Sequence, residues 1–228
     1  MTVINDELVE TIYGELVRLH VSTGNSQSWR QFAVDLSLIA LSVRTGYLVD
    51  TFATRTVFKK LVIALREKSP LFKDVVHLYE PTADQSFFIN IPRFQSRAPE
   101  FRDTIYVSVS GHLMSPPENV LNTLRSIEIH ATDISCTLPS DLPVDITVPL
   151  AAVLLEYPIA YVPHGVIPPE RQSLDVYECL LPGRVTIVKF SCPSSLVSRE
   201  TIIRSLHSRF GIDAEVKCTS ETVDRLVL

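Results

Sequence analysis

None of the fifteen prolines in this 228-residue chain lies before Pro70, and that distribution constrains the fold more than any other feature. Proline lacks a backbone donor and blocks a helix interior. The first third is therefore free to be helical, while the rest is cut into short elements. Asn5 can cap a first helix, with Asp6 and Glu7 in its first turn and Leu8, Ile12, Leu16 and Leu19 on one apolar face, ending near His20. Residues 21–27, with Gly24, form a polar joint. A second helix follows, on which Trp29, Phe32, Ala33, Leu36, Ile39, Ala40 and Val43 recur at helical spacing, and Gly46 supplies a stop.

The pattern then changes to α/β. Residues 47–49 form a short strand closing on Asp50, and Thr51 or Thr54 can cap a helix with Phe58, Leu61, Val62 and Leu65 inward. Residues 75–79 and 87–91 are rich in β-branched and aromatic side chains, as neighbouring strands or a hairpin would be. In residues 104–110, Ile105, Val107 and Val109 alternate with Tyr106, Ser108 and Ser110, which predicts a strand with one wet face. Ser115 and Glu118 stand in capping-box relation, with Pro116 at the first helical position, ahead of Val120, Leu121 and Leu124. Residues 127–131 read as a strand, 139–143 as a loop and 147–156 as an apolar helix.

Three strands, 158–163, 174–181 and 184–191, then precede a helix from Ser198 to Phe210 that stops at Gly211. A last strand follows, with Ala214, Val216 and Cys218 on its inner face. The sum is one α/β domain over residues 1–228, with a helical opening to residue 45 and, beyond it, a mixed β-sheet with helices packed on it.

Composition narrows the function classes. A net charge of −5 with scattered Lys and Arg gives no basic stripe for a phosphate backbone, so no nucleic-acid partner is expected. Apolar runs are interrupted well short of the roughly 20 residues that span a bilayer, so no membrane partner is expected either. The N-terminus shows no basic segment followed by an apolar run. The four cysteines are widely spaced without a Cys-x-x-Cys pair, as reduced thiols of the cytosol or nucleus would be. The seven glycines are never closer than ten positions, which excludes a Gly-x-Gly-x-x-Gly or Walker loop, and no His-Glu-x-x-His helix or Gly-x-Ser-x-Gly elbow occurs. No cofactor is therefore expected.

From Glu156 onward the segments Glu156-Tyr157-Pro158-Ile159-Ala160-Tyr161, Leu174-Asp175-Val176-Tyr177, Lys189-Phe190-Ser191-Cys192-Pro193-Ser194-Ser195-Leu196 and Ser220-Glu221-Thr222-Val223 resemble the C-terminal half of an uncharacterised eukaryotic family. That family is typified by a vertebrate chromosome-one open-reading-frame protein of unknown function. The resemblance covers about a third of the chain well, and it brings no activity, cofactor or catalytic residue with it.

Candidate chemistry comes instead from strand ends, where ligands of open α/β sheets gather. Asp50 closes a strand before a helix, His112 follows Gly111, His164 precedes Gly165, and Cys192 closes a strand beside Ser191. Converged, a carboxylate, two imidazoles and a thiol could hold a metal or make a Cys–His nucleophile. Each also has a plainer role. Asp50 can accept helix N–H groups, the two histidines suit exposed turns, and Cys192 suits a buried apolar site. The loop 163–172, with Pro168, Pro169, Glu170 and Arg171, is long enough to carry function. The expectation is a non-catalytic macromolecule-binding module that meets a protein partner through that loop. The alternative is a hydrolase or transferase of unfamiliar type using Asp50, His112, His164 and Cys192.

Overall fold

The structure is a computed structural model that describes residues 6–19, 26–50, 55–97, 101, 103–130, 132–164, 171–182 and 185–223. In chain order the elements are α1 (Asp6–Arg18), α2 (Ser26–Ala40), β1 (Gly46–Val49), α3 (Arg55–Lys68), a 3₁₀ turn (Pro70–Phe72), β2 (Val75–Glu80), β3 (Gln85–Asn90), α4 (Ile91–Arg97), β4 (Ile105–Ser108) and β5 (Leu113–Met114). Then come α5 (Glu118–Arg125), β6 (Ser135–Thr137), α6 (Val144–Leu154), β7 (Ile159–Val162), β8 (Gln172–Leu181), β9 (Val185–Pro193), α7 (Arg199–Phe210) and β10 (Glu215–Val223). The class is α/β, and the strands are shared among three sheets. Among the described residues no helix is long and apolar enough to cross a membrane.

The chain divides into two compact units, Met1–Ala98 with Ile127–Leu142, and Pro99–Ser126 with Pro143–Leu228. Neither unit is continuous in sequence. That is why no linker marks the division and why the sequence reads as one domain.

In the first unit a four-stranded mixed sheet runs β1-β3-β2-β6, with only β2 and β6 parallel. The inner faces of α1, α2 and α3 form one core with it. Ile12, Leu16, Phe32, Leu36, Phe58, Leu61 and Phe88 all belong to this cluster. Phe32, Phe58 and Phe88 meet at centroid distances of 5.5 to 6.4 Å, each contact worth about 1 kcal/mol beyond its buried area. The α2 helix ends earlier than Gly46. Ser42 takes φ 57°, its N–H donates to Ile39 O, and Val43 N–H donates to Leu38 O. This is a Schellman closure with serine in the left-handed position, and Gly46 is instead the first residue of β1. Asn90 pins the turn through Nδ2 to Ile39 O and Ser42 Oγ. Its Oδ1 accepts Arg93 N–H, so Asn90 caps α4 and Ile91 begins a helix where the sequence suggests a strand residue.

The second unit holds two sheets, β5-β4-β7 and β10-β8-β9. The strands 158–163, 174–181 and 184–191 therefore divide, the first to one sheet and the other two to the other. β4 lies between β5 and β7, parallel to β7. Tyr106, Val107 and Ser108 are all buried. The expected wet face does not exist, because successive side chains of a strand point to opposite faces and both Tyr106 and Val107 are buried. Nor does the capping box form. α5 starts at Glu118 behind Pro117, with no side-chain cap, since Pro117 keeps residue 116 out of helical geometry. Residues 127–130 are not a strand, and β6 lies further on. α6 begins at Val144 and accommodates Pro149. α7 matches its sequence signals, with Ser198 Oγ accepting Thr201 N–H and Gly211 at φ 93°. Asn5, Thr51, Thr54, Gly165, Pro168, Pro169 and Glu170 lie outside the described residues.

Candidate functional site

β8 and β9 run antiparallel from Leu174↔Pro193 to Leu181↔Val185, with a bulge between Cys179 and Leu180, and β10 pairs along the other side of β8. Tyr177 stacks on Phe190 at 5.3 Å. At the open end of this sheet Asp175 is almost fully buried, and its charge is answered from three directions. Arg199, the first residue of α7, donates Nε to Oδ2 and Nη2 to Oδ1, both at 2.8 Å. Ser220 Oγ of β10 donates to Oδ1 at 2.8 Å, and Ser194 Oγ donates to the same oxygen at 3.1 Å. Held chiefly by the Arg199 hydrogen bonds, against the cost of burial, the Asp175 carboxyl drops to about 2. A buried carboxylate with this many donors is a fixed point to which other groups are referenced.

The network opens onto a cleft of 330 Å³ at the start of β8 and the end of β9. Ser173 Oγ lies 3.3 Å from Ser194 Oγ, and Ser194 N–H donates to Ser173 O. Arg171, Gln172, Ser195 and Leu196 line the same space, with Gly111 from the turn that joins β4 to β5. With Pro193 also lining it, the wall presents three hydroxyls, an amide, a guanidinium and two apolar side chains. A cavity of 350 Å³ in the first unit is lined by Tyr13, Ser26, Gln27 and Arg30, and Arg30 is already paired with Glu10.

The residues singled out by sequence are placed as follows. Asp50 belongs to the first unit, exposed at the end of β1, where its charge acts on Asp35. His112, His164 and Cys192 belong to the second. The two histidines follow the carboxyl ends of β4 and β7, whose last paired residues are Ser108 and Val162, so both stand at one end of one sheet. Both are exposed. His112 N–H donates to Ser108 Oγ, and His164 N–H closes a tight turn onto Val162 O at 2.7 Å. Cys192 is 1 % exposed, opposite Asp175 in the ladder, with its thiol directed to Pro193 O. Burial first, then the Asp175 charge, push that thiol up to about 12. None of these four lines the cleft, although Gly111 and Pro193, which do, are the chain neighbours of His112 and Cys192. Among the described residues no group of three or more His, Cys, Asp or Glu side chains could hold a metal.

The residues that organise the site, Asp175, Ser194, Arg199 and Ser220, were not singled out by sequence as functional. One signal was available. Asp175 sits among Leu174, Val176 and Tyr177 in a strand, and a carboxylate on a covered strand must have partners. No family model, no curated protein and no solved structure matches the chain.

Proposed function

We propose that this chain is a non-catalytic macromolecule-binding module that takes a protein partner at the cleft between the start of β8 and the end of β9. The observation that carries this reading is the chemistry of the wall. Hydroxyls, an amide and a guanidinium hold polar groups in place, while among the described residues no imidazole, carboxylate or thiol lines the cleft to move a proton or attack a carbonyl. Arg171 and Gln172 also tie the cleft to the end of the loop 163–172, the segment for which the sequence suggests a partner. A hydrolase or transferase built on Cys192 would need a thiolate, and a thiol pushed up to about 12 stays protonated at neutral pH.

The resemblance to the uncharacterised eukaryotic family belongs to the same proposal. Three of the segments that carry it contain Asp175, Ser194 and Ser220, so what makes the chain recognisable is also what shapes the cleft. A cytosolic or nuclear setting fits four free cysteines.

The test is quantitative affinity capture with the wild-type chain and with Ser195→Trp, which fills the cleft at an exposed position. A partner that binds the purified wild-type chain directly should lose at least about tenfold in affinity to the variant, as expected for obstructing a binding centre, with the melting temperature unchanged. Partners retained in full by the folded variant would overturn the reading.

A further inference from the structure

The sheet β10-β8-β9 has two outer strands, and they are not equivalent. On β9 the outward carbonyl of Ser191 is already taken by Tyr161 Oη at 3.4 Å. β10 pairs with β8 over all nine residues, Glu215↔Leu180 through Val223↔Gln172. Among the described residues no strand pairs with its other side. Glu215, Lys217, Thr219, Ser220, Glu221 and Thr222 are exposed. Every second backbone N–H and C=O of such a strand points outward, a template for one more strand. The strand is also fixed in place, because Ser220 Oγ donates to Asp175 and accepts from Arg199. An edge held rigid loses little entropy when it pairs.

The side-chain pattern identifies the occupant. Across the wet face of the sheet, Lys189 of β9 stands opposite Glu178 of β8, and Glu178 stands opposite Lys217 of β10. The row alternates in sign and ends on a cation at the open edge, where the next strand should offer a carboxylate. Lys217 also has Glu215 Oε1 at 3.7 Å on its own strand, an exposed contact that contributes little. A second copy of β10, antiparallel and centred on Thr219, places Glu221 opposite Lys217 twice, once on each side of the two-fold axis. The same centring keeps all nine residues paired. Moving the centre one residue toward the N-terminus, to Cys218, sets Glu215 opposite Glu221, and none of the other registers that keep seven or more residues paired matches Lys217 with a carboxylate. The charges therefore select one register of one strand against its own copy.

We propose that β10 is a homodimerisation edge, joining two chains through antiparallel β10–β10 pairing about Thr219 into one six-stranded sheet. The contact is isologous, so it closes at two chains. It is independent of the cleft, which lies at the β8–β9 side.

Sedimentation equilibrium of the full chain tests it. The wild type should pass from monomer to twice the monomer mass between about 1 and 100 µM. Lys217→Glu sets like charges opposite one another at both symmetric positions, and Glu221→Lys does the same with the opposite sign. Each variant alone should weaken the dimer by about tenfold or more, with circular dichroism and melting temperature close to the wild type. Mixed in equal amounts, the two variants are complementary at both positions and should form a heterodimer as tight as the wild-type dimer. A wild-type chain that stays monomeric through this range would overturn the proposal. So would a dimer indifferent to Lys217→Glu, or a mixture of two folded variants that does not associate.

Discussion

Arg199 grips Asp175 with a two-pronged contact, Nε to Oδ2 and Nη2 to Oδ1, both at 2.8 Å. The two residues live in different surroundings, since the Asp175 side chain is 3 % exposed and the Arg199 side chain 51 %. The arginine is thus a lid on a buried charge, and it joins the start of α7 to β8 and, through Ser220, to β10. Three elements of the second unit depend on one carboxylate.

Replacing Asp175 by Ala should cost about 3 kcal/mol, because Ser194, Ser220 and the inner side of Arg199 lose their acceptor together. Arg199→Lys should also destabilise, since an ammonium cannot reproduce the planar fork. The pH dependence has a definite sign. The folded-state value of about 2 lies below the ordinary 3.8, so this stabilisation is complete above about pH 4 and is lost as the pH falls toward 2. Urea unfolding followed at neutral and acid pH should show a shallower loss between pH 4 and 2 in Asp175→Asn than in the wild type. An equal acid loss in both would place the titrating group elsewhere.

How much of this was legible in the sequence depends on the range of the deciding interaction. Leu8, Ile12 and Leu16 announce α1 because one helix face must be apolar. Ser198 and Gly211 bound α7 because caps act within a turn. The end of α2 was not legible, since a serine in the left-handed position is decided by Asn90, which follows it by 48 residues. The place of Tyr106 in the sheet was hidden for the same reason, as its strand pairs with β7 more than fifty residues away. The candidate site behaved likewise. The strand-end residues could be named from local pattern, but the Asp175 network is assembled from β8, the end of β9, α7 and β10, and only the unexplained carboxylate in an apolar strand hinted at it.

The four thiols should separate into two classes. Cys179 and Cys192 are buried, and burial pushes them up to about 11 and about 12. Cys136 and Cys218 are partly exposed. Alkylation of the native chain near pH 8, read by mass spectrometry, should modify Cys136 and Cys218 and spare the other two, while all four react in denaturant. Burial also raises the Cys136 thiol, so Cys136 should react more slowly than it does in denaturant. Rapid native labelling of Cys192 would show an activated thiol and revive a nucleophilic role for it.

His77 is fully buried between Phe58 and Phe88, with centroids at 5.5 and 5.9 Å. Nδ1 lies 3.0 Å from Ser135 Oγ, and Nε2 lies 3.0 Å from Ser86 Oγ. A neutral imidazole has one donor and one acceptor, and the two hydroxyls rotate to complement either tautomer. His77→Phe keeps the aromatic packing but strands both hydroxyls, at a cost of about 1–3 kcal/mol. The triple variant His77→Phe, Ser86→Ala, Ser135→Ala should recover most of that loss in the urea midpoint. A triple variant no better than the single one would mean that ring shape, not hydrogen bonding, is what the site requires.

Asp35 and Arg44 form the buried ion pair of the first unit, Nη1 to Oδ1 at 3.1 Å, with side chains 12 % and 7 % exposed. Gln31 donates to the other carboxylate oxygen at 3.0 Å. Burial raises the Asp35 carboxyl above 3.8 despite Arg44 and Gln31, and the Asp50 charge raises it further. The native state therefore holds this proton more tightly than the unfolded chain does. Ionised Asp35 costs stability above its folded-state value, and the cost is relieved as the pH falls through that value. Arg44→Leu removes the main compensation and should cost about 3–5 kcal/mol at neutral pH, with part of the loss regained on acidification to about pH 5 as the stranded carboxyl takes up a proton. Asp35→Leu combined with Arg44→Leu should return close to wild-type stability, since an apolar pair of similar volume needs no charge compensation. Asp50→Asn should stabilise slightly at neutral pH by removing a repulsion. If Arg44→Leu instead lost stability equally at pH 7 and pH 5, the pair would be held by packing of the arginine stem and not by its charge.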